Sequence, residues 1–275
     1  MNHRRSILIF ATKYIKPCHQ LENKRTLIKP GKYSAPYLIL FYLLLWILLF
    51  EIILPVNDVF PKPSIVLQSM RDLFRDYDFG WNYLSTLSAI YLPMLAAYFM
   101  VRMLFPIIMK KSFVTDIIFS VEWFSRHIPG IVLAILLIYW FPQSEITRFV
   151  FAFLISFSAF MIRARHLGEN LGAEYQLAME TFGVGFNPIM RRVVWKAIQP
   201  NLFAHIIKQN IYVWASLIVF EFINLGFGLG TILRKILQFK DLSALVMMFI
   251  IIGISIFISS QIFKFAKDKF YFWKT

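Results

Sequence analysis

One cysteine, Cys18, is the whole thiol content of the 275 residues, which excludes a disulfide framework and any CxxC metal site. Charge is scarce too. Charged residues are 16% of the chain, against about 25% in an ordinary soluble domain. With 11 Gly and 12 Pro beside 30 Phe, collagen-like and disordered compositions are excluded. No GxxxxGK[ST] stretch occurs, so the chain carries no phosphate-cradling P-loop of its own. His127 has no second histidine at ligand spacing, which argues against a metal site, and no Ser/His/Asp arrangement offers an activated nucleophile. What is abundant is apolar: 59% of residues, 18% aromatic, with a mean hydropathy of +0.63. A folded surface needs polar cover that this chain lacks, so a soluble enzyme is excluded and an all-α polytopic membrane protein is expected.

Apolar runs long enough for a hydrocarbon core of about 30 Å give about six expected spans. They are 37–56, 84–105, 117–141, 147–162, 202–225 and 242–263. The second is broken by Pro93. The third reaches spanning length only by including Glu122 and Arg126, an i, i+4 pair at its end. The net charge of +14 lies in short stretches between these runs, the distribution of positive-inside loops rather than of a nucleic-acid-binding face. With the amino terminus inside, all 29 basic residues except Lys62, Arg71, Arg75, Arg148, Arg234, Lys235 and Lys240 fall on the cytoplasmic side. Both termini are therefore expected in the cytoplasm, as a basic arm over 1–36 and a tail over 267–275, flanking a permease domain over 37–266. Arg4-Arg5 before SILIFA lacks the apolar length and cleavage site of a secretion signal.

The connection 163–198 is longer than crossing the bilayer requires, and organised long loops are usually functional. EYQLAMETF (Glu174–Phe182) has good helix formers, and Gly183 and Gly185 stop it. Asn187 can cap a second helix with Pro188 at its first position, ending at Ile198 before Pro200. Helix, glycine turn, helix reads either as a surface hairpin or as a docking surface for a soluble partner, with Phe182 and Phe186 as anchors. Glu221, near Asn224 and one turn from the end of the fifth span, either lines a solute path or clamps the following loop through backbone N–H groups. Glu51 leans to a structural role, and His205 and Lys208 read as interfacial. Ser64–Asp76 forms an amphipathic helix outside, capped by Ser64, with Val66, Met70, Leu73 and Phe74 on one side. It lies on the membrane surface or meets a partner protein.

LAMETFGVGFNPIMRRVVWKAIQP (177–200) resembles the EAA loop of ABC importer permeases. Ala178 and Gly183 match the pattern and Pro200 matches a proline often found beyond it. Leu177, Met179, Val193, Trp195 and Lys196 depart from it. FPKPSIVLQSM (Phe60–Met70), SRHIPGIVLAILLIYWF (Ser125–Phe141) and WASLIVFEFINLGFGLGTIL (Trp214–Leu233) are similar, in order, to segments of the nitrate/sulfonate/taurine-type permeases. The resemblance implies a type I importer permease: about six transmembrane helices with a helical cytoplasmic coupling loop, a non-catalytic subunit in the bacterial inner membrane. It implies a second permease subunit, expected to be another copy of this chain. It also implies a solute-binding protein, periplasmic or lipid-anchored, and a separate ATPase that binds the ATP, so that this chain needs no cofactor. The ATPase would dock on Leu177, Ala178, Met179, Glu180, Thr181, Phe182, Gly183, Val184, Gly185 and Phe186. Trp214, Ser216, Glu221 and Asn224 would face the translocation path. The rival readings are an intramembrane enzyme, which needs grouped catalytic side chains within the spans, and a channel, which needs rings of like charge or a carbonyl filter.

Overall fold

The computed structural model describes residues 34–54, 60–110, 116, 120, 127–142, 144–182, 185–224 and 226–271. Among the described residues all regular structure is helical. The chain divides into two compact units at Leu54. The first contains α1 (Ser34–Ile47), which continues as a π-helical stretch over Leu48–Ile53. Its fourteen α-helical residues are an unbroken run of apolar side chains apart from Ser34, as lipid demands all round.

The second unit is a helical bundle. It begins with α2 (Pro63–Asp76) and α3 (Phe79–Met109). These are followed by α4 (Gly130–Trp140), α5 (Glu145–Phe182) and the short α6 (Phe186–Ile189). A π-helical stretch, Met190–Val194, then leads into α7 (Trp195–Asn224). The unit closes with α8 (Leu229–Phe239) and α9 (Leu242–Phe270). Among the described residues four helical segments are long and apolar enough to cross a membrane: Phe79–Met109, Glu145–Glu169, Phe186–Asn224 and Leu242–Phe270. Gly130–Trp140 is apolar but short, at 11 residues or about 16 Å. Most of the remainder of the expected third span, with Glu122 and Arg126, lies outside the described residues.

Proline does not break these helices where its intrinsic preference says it should. α3 runs through Pro93 and Pro106, and α7 runs through Pro200, all three buried. Apolar helices tolerate proline where surrounding groups re-satisfy the carbonyls that it frees. The connection 163–198 is correspondingly not a separate hairpin. α5 is one helix of 38 residues that contains both the fourth apolar run and the expected 174–182 helix. On the return side, Gly185 rather than Asn187 occupies the cap, and Pro188 sits in the first turn of α6.

Packing fixes the crossings. Gly168 brings α5 against α3 so closely that a Cβ there would sit 2.7 Å from Met109 Sδ. Trp195, 1% exposed, sets its ring edge-on to Phe105 at 5.1 Å and anchors the start of α7 to the same part of α3. Nearer the other end of the bundle, Phe151 of α5 stacks on Phe220 of α7 at 4.8 Å. α2 starts with Pro63 at its first position, not with a Ser64 cap. It buries Val66, Ser69 and Leu73, while Met70 and Phe74 stay exposed.

α8 was not expected from the sequence. Its Leu229, Ile232, Leu233 and Ile236 are buried, the i, i+3, i+4, i+7 spacing of an amphipathic helix. The signal is there in LGTILRKILQF, but the preceding Gly-Phe-Gly-Leu-Gly reads as loop.

Candidate functional site

Two ends of the bundle and one groove carry the chemistry. At the first end, α7 finishes at Asn224 and the chain turns through Gly226–Gly228 into α8. A helix start leaves backbone N–H groups without intrahelical partners. Here side chains from α3 and α7 take them up. Asn82 Oδ1 accepts from the Gly228 N–H at 2.8 Å, Thr86 Oγ1 from the Leu229 N–H at 2.9 Å, and Glu221 from the Gly230 N–H at 3.2 Å. Thr86 Oγ1 in turn donates a hydrogen bond to the Glu221 carboxylate, with oxygen distances of 2.8 and 2.9 Å. A carboxylate at a helix N-terminus also meets the positive end of the helix dipole. Glu221 thus caps a helix other than its own.

Arginine closes the knot. Arg148 Nη1 lies 4.0 Å from Glu221 and donates to the Phe227 carbonyl at 3.0 Å, while Nη2 pairs with Glu145 at 3.1 Å. Thr231 Oγ1 donates to the Glu221 carbonyl at 3.2 Å. The glycines have separate reasons. Gly228 has φ +128°, a conformation that side chains disfavour, and a Cβ on it would run into the Glu221 carboxylate. A Cβ on Gly230 would strike the Ile218 carbonyl and the Phe222 nitrogen, so α8 starts directly against the backbone of α7.

Glu221 is 1% exposed and Trp214 is fully buried. Ser216 is half-buried. Asn224 is 9% exposed, and among the described residues its Oδ1 has no partner. Trp214 Nε1 donates to the Tyr91 hydroxyl at 3.3 Å, which links it to a groove of about 370 Å³ between α3 and α9. Tyr83, Tyr91, Ser255, Ser259, Ile262 and Phe263 line that groove. The Tyr83 and Ser255 hydroxyls are 2.9 Å apart, and Asn210 Nδ2 donates to Ser259 Oγ at 2.9 Å. No charged side chain lines it. These hydroxyls were missed in the sequence because Tyr83 and Tyr91 look like ordinary aromatic content. Their separation by eight positions on one helix face is the available signal.

Beside the knot, Tyr77 is buried among Asp72, Asp76 and Asp241. Burial pushes its hydroxyl pKa up, and the three carboxylates add to the shift.

At the opposite end, α5 and α6 meet at the residues expected to dock a partner. Leu177, Ala178, Met179, Glu180, Thr181 and Phe182 occupy the last turns of α5, and their side chains lie outside the described residues, as do Gly183 and Val184 altogether. Gly185 is exposed at the cap of α6 and Phe186 is half-buried beside it. α5, at 1.5 Å per residue, is about 57 Å long, nearly twice a hydrocarbon core of about 30 Å. Among the described residues Glu145–Glu169 is long and apolar enough to cross a membrane, and the helix continues to Phe182. Among the described residues no group of three His, Cys, Asp or Glu side chains is placed to hold a metal.

No match is found among curated proteins. The family model of the binding-protein-dependent transport system inner membrane component matches residues 102–270, well over half of the chain. That range holds the Gly168 crossing, the end of α5, and Glu221 and Arg148, while Asn82, Thr86 and the Phe60–Met70 segment precede it. A helical, membrane-embedded chain with a projecting turn and no P-loop is in keeping with that match, and the protein belongs to the binding-protein-dependent transport family, the permease components of ABC importers.

Proposed function

We propose that this chain is one of two permease subunits of an ATP-driven importer, paired with a second copy of itself in the bacterial plasma membrane. In this reading it has six spans with both termini cytoplasmic. A separate ATPase docks on 177–186 and binds the ATP, and a solute-binding protein delivers a small solute of the nitrate, sulfonate or taurine kind. The observation that carries the docking assignment is the unbroken α5. A helix continuous from the span to the turn transmits a push at the turn into the bundle, and Gly168 and Trp195 couple that push to α3. Alternating access is largely such rocking of one bundle against another.

The solute specificity rests on the resemblance of Phe60–Met70 and its companion segments to that permease type. For the path, Glu221 acts as the clamp of α8, and the solute-facing hydroxyls are those of the groove between α3 and α9. Two features support this: the Glu221 carboxylate is enclosed by partners of its own chain, and the groove is open.

Reconstitution in liposomes with a candidate P-loop ATPase and solute-binding protein is the test. Uptake that requires ATP, and an ATPase that co-purifies with the wild-type chain but not with Phe182→Asp, is the expected result. Uptake that persists without the ATPase would overturn the assignment and favour a channel.

A further inference from the structure

A basic concavity lies where α3 passes the π-helical stretch, at the end of the bundle where α6 begins. Arg102 from α3 and Arg191 and Arg192 from Met190–Val194 line it, together with Phe99 and Met103, around a volume of about 370 Å³. All three arginines are exposed, and among the described residues none has a carboxylate within ion-pair distance. Three guanidinium groups around one hollow repel one another unless an anion enters. Arginine's planar fork suits phosphate oxygens in particular.

The hollow continues as an apolar stripe. Leu92, Leu95, Phe99 and Met103, spaced three or four residues apart, lie on one face of α3 and are 59%, 54%, 50% and 72% exposed. Depth is consistent with this. At 1.5 Å per residue, Arg102 lies about 27 Å along α3 from Leu84, where the expected span begins, at the far edge of a hydrocarbon core of about 30 Å. From that edge a long arginine side chain reaches the headgroups, and the stripe leads back toward the acyl region. A soluble acidic partner would match the charges but not a stripe that runs into the bilayer, and inorganic phosphate would leave the stripe unused.

We propose that this hollow binds an anionic phospholipid, its phosphate held by Arg102, Arg191 and Arg192 and an acyl chain laid along Met103, Phe99 and Leu95. Such a lipid joins α3 to the stretch that links the docking turn to α7, so the leaflet composition bears on the lever itself. Basic pockets between transmembrane helices favour anionic headgroups by this physics. The inference rests on membrane embedding and not on ATPase docking.

The test is native mass spectrometry of the full-length permease, titrated with phosphatidylglycerol or phosphatidylcholine of the same chains. Wild type is expected to retain phosphatidylglycerol about tenfold or more over phosphatidylcholine. The Arg102→Gln/Arg191→Gln/Arg192→Gln variant should lose that preference, and Met103→Gln should weaken retention of both lipids. An equal preference in wild type and the triple variant overturns the proposal. Complete displacement of the lipid by millimolar inorganic phosphate overturns it in favour of a free-anion site. Circular dichroism of the triple variant verifies its helical fold. ATPase co-purification is read on the same samples. Loss of the ATPase with lipid preference intact would assign the arginines to the ATPase and overturn the proposal. An ATPase that never binds wild type, with lipid preference present, would instead count against the docking assignment alone.

Discussion

The two ends of the bundle use polar chemistry in opposite ways. At the α7–α8 junction, Asn82, Thr86, Arg148 and Glu221 are buried and turned toward the backbone of their own chain. At the other end the arginines of the π-helical stretch are exposed, and the last turns of α5 project beyond spanning length. The comparison teaches that an ionisable residue near a membrane is not by itself a solute contact. Glu221 is expected one turn from the end of its span, and its partners are the Thr86 hydroxyl, the Gly230 N–H and, at 4.0 Å, the Arg148 guanidinium. Its burial is affordable because the first turn of α8 supplies N–H groups that otherwise go unsatisfied.

The sharpest way to break the contrast is at Gly230. Gly230→Val must push α8 off the α7 backbone. It should destabilise the bundle by about 3 kcal/mol or more, read as loss of folded protein in the membrane and a lowered thermal midpoint in detergent. An unaltered midpoint would show that α8 is not seated as described.

Glu221 comes next. Glu221→Leu leaves the Gly230 N–H and the Thr86 hydroxyl without their acceptor, which costs about 2–3 kcal/mol. Glu221→Gln keeps an acceptor and should cost about 1 kcal/mol. If the residue is a clamp, both variants transport normally per folded molecule. Lowered uptake per folded Glu221→Gln molecule would return the carboxylate to the path.

At the turn the expectation reverses. Phe182→Asp should abolish ATPase co-purification while changing stability by about 0.5 kcal/mol or less, the effect expected of a substitution outside the chain's own packing. A large stability loss with the ATPase still bound would place Phe182 in the chain's own packing. The smallest effect belongs to Gly253 on α9, where a Cβ meets nothing within 4 Å. Gly253→Ala should leave uptake unchanged and raise stability by at most about 1 kcal/mol through helix propensity.

Much of this was legible in the sequence because lipid imposes a one-dimensional rule. A run of about 20 apolar residues announces a helix whatever surrounds it. Hence 84–105, 202–225 and 242–263 reappear inside α3, α7 and α9. Helix ends were less legible. Pro93 and Pro200 are breakers by local preference, but buried helices re-satisfy the groups they free. The 163–198 segment looked like a loop because its charges end the apolar run, although charge ends a span without ending a helix. α8 was hidden for the converse reason: three glycines near its start suggested a turn, whereas Gly228 and Gly230 serve close approach of α8 to Glu221 and α7.

The sequence alone determined that this chain is helical and membrane-embedded, because composition and run length act locally and need no partner. Tertiary structure decided what each polar residue does. Asn82, Thr86, Arg148 and Glu221 lie far apart in the chain, and only the crossing of α3, α5 and α7 brings them to one helix start. Hydrogen bonding reaches about 3 Å and therefore depends on that crossing, whereas hydrophobic burial depends on summed area and reads directly from the order of residues.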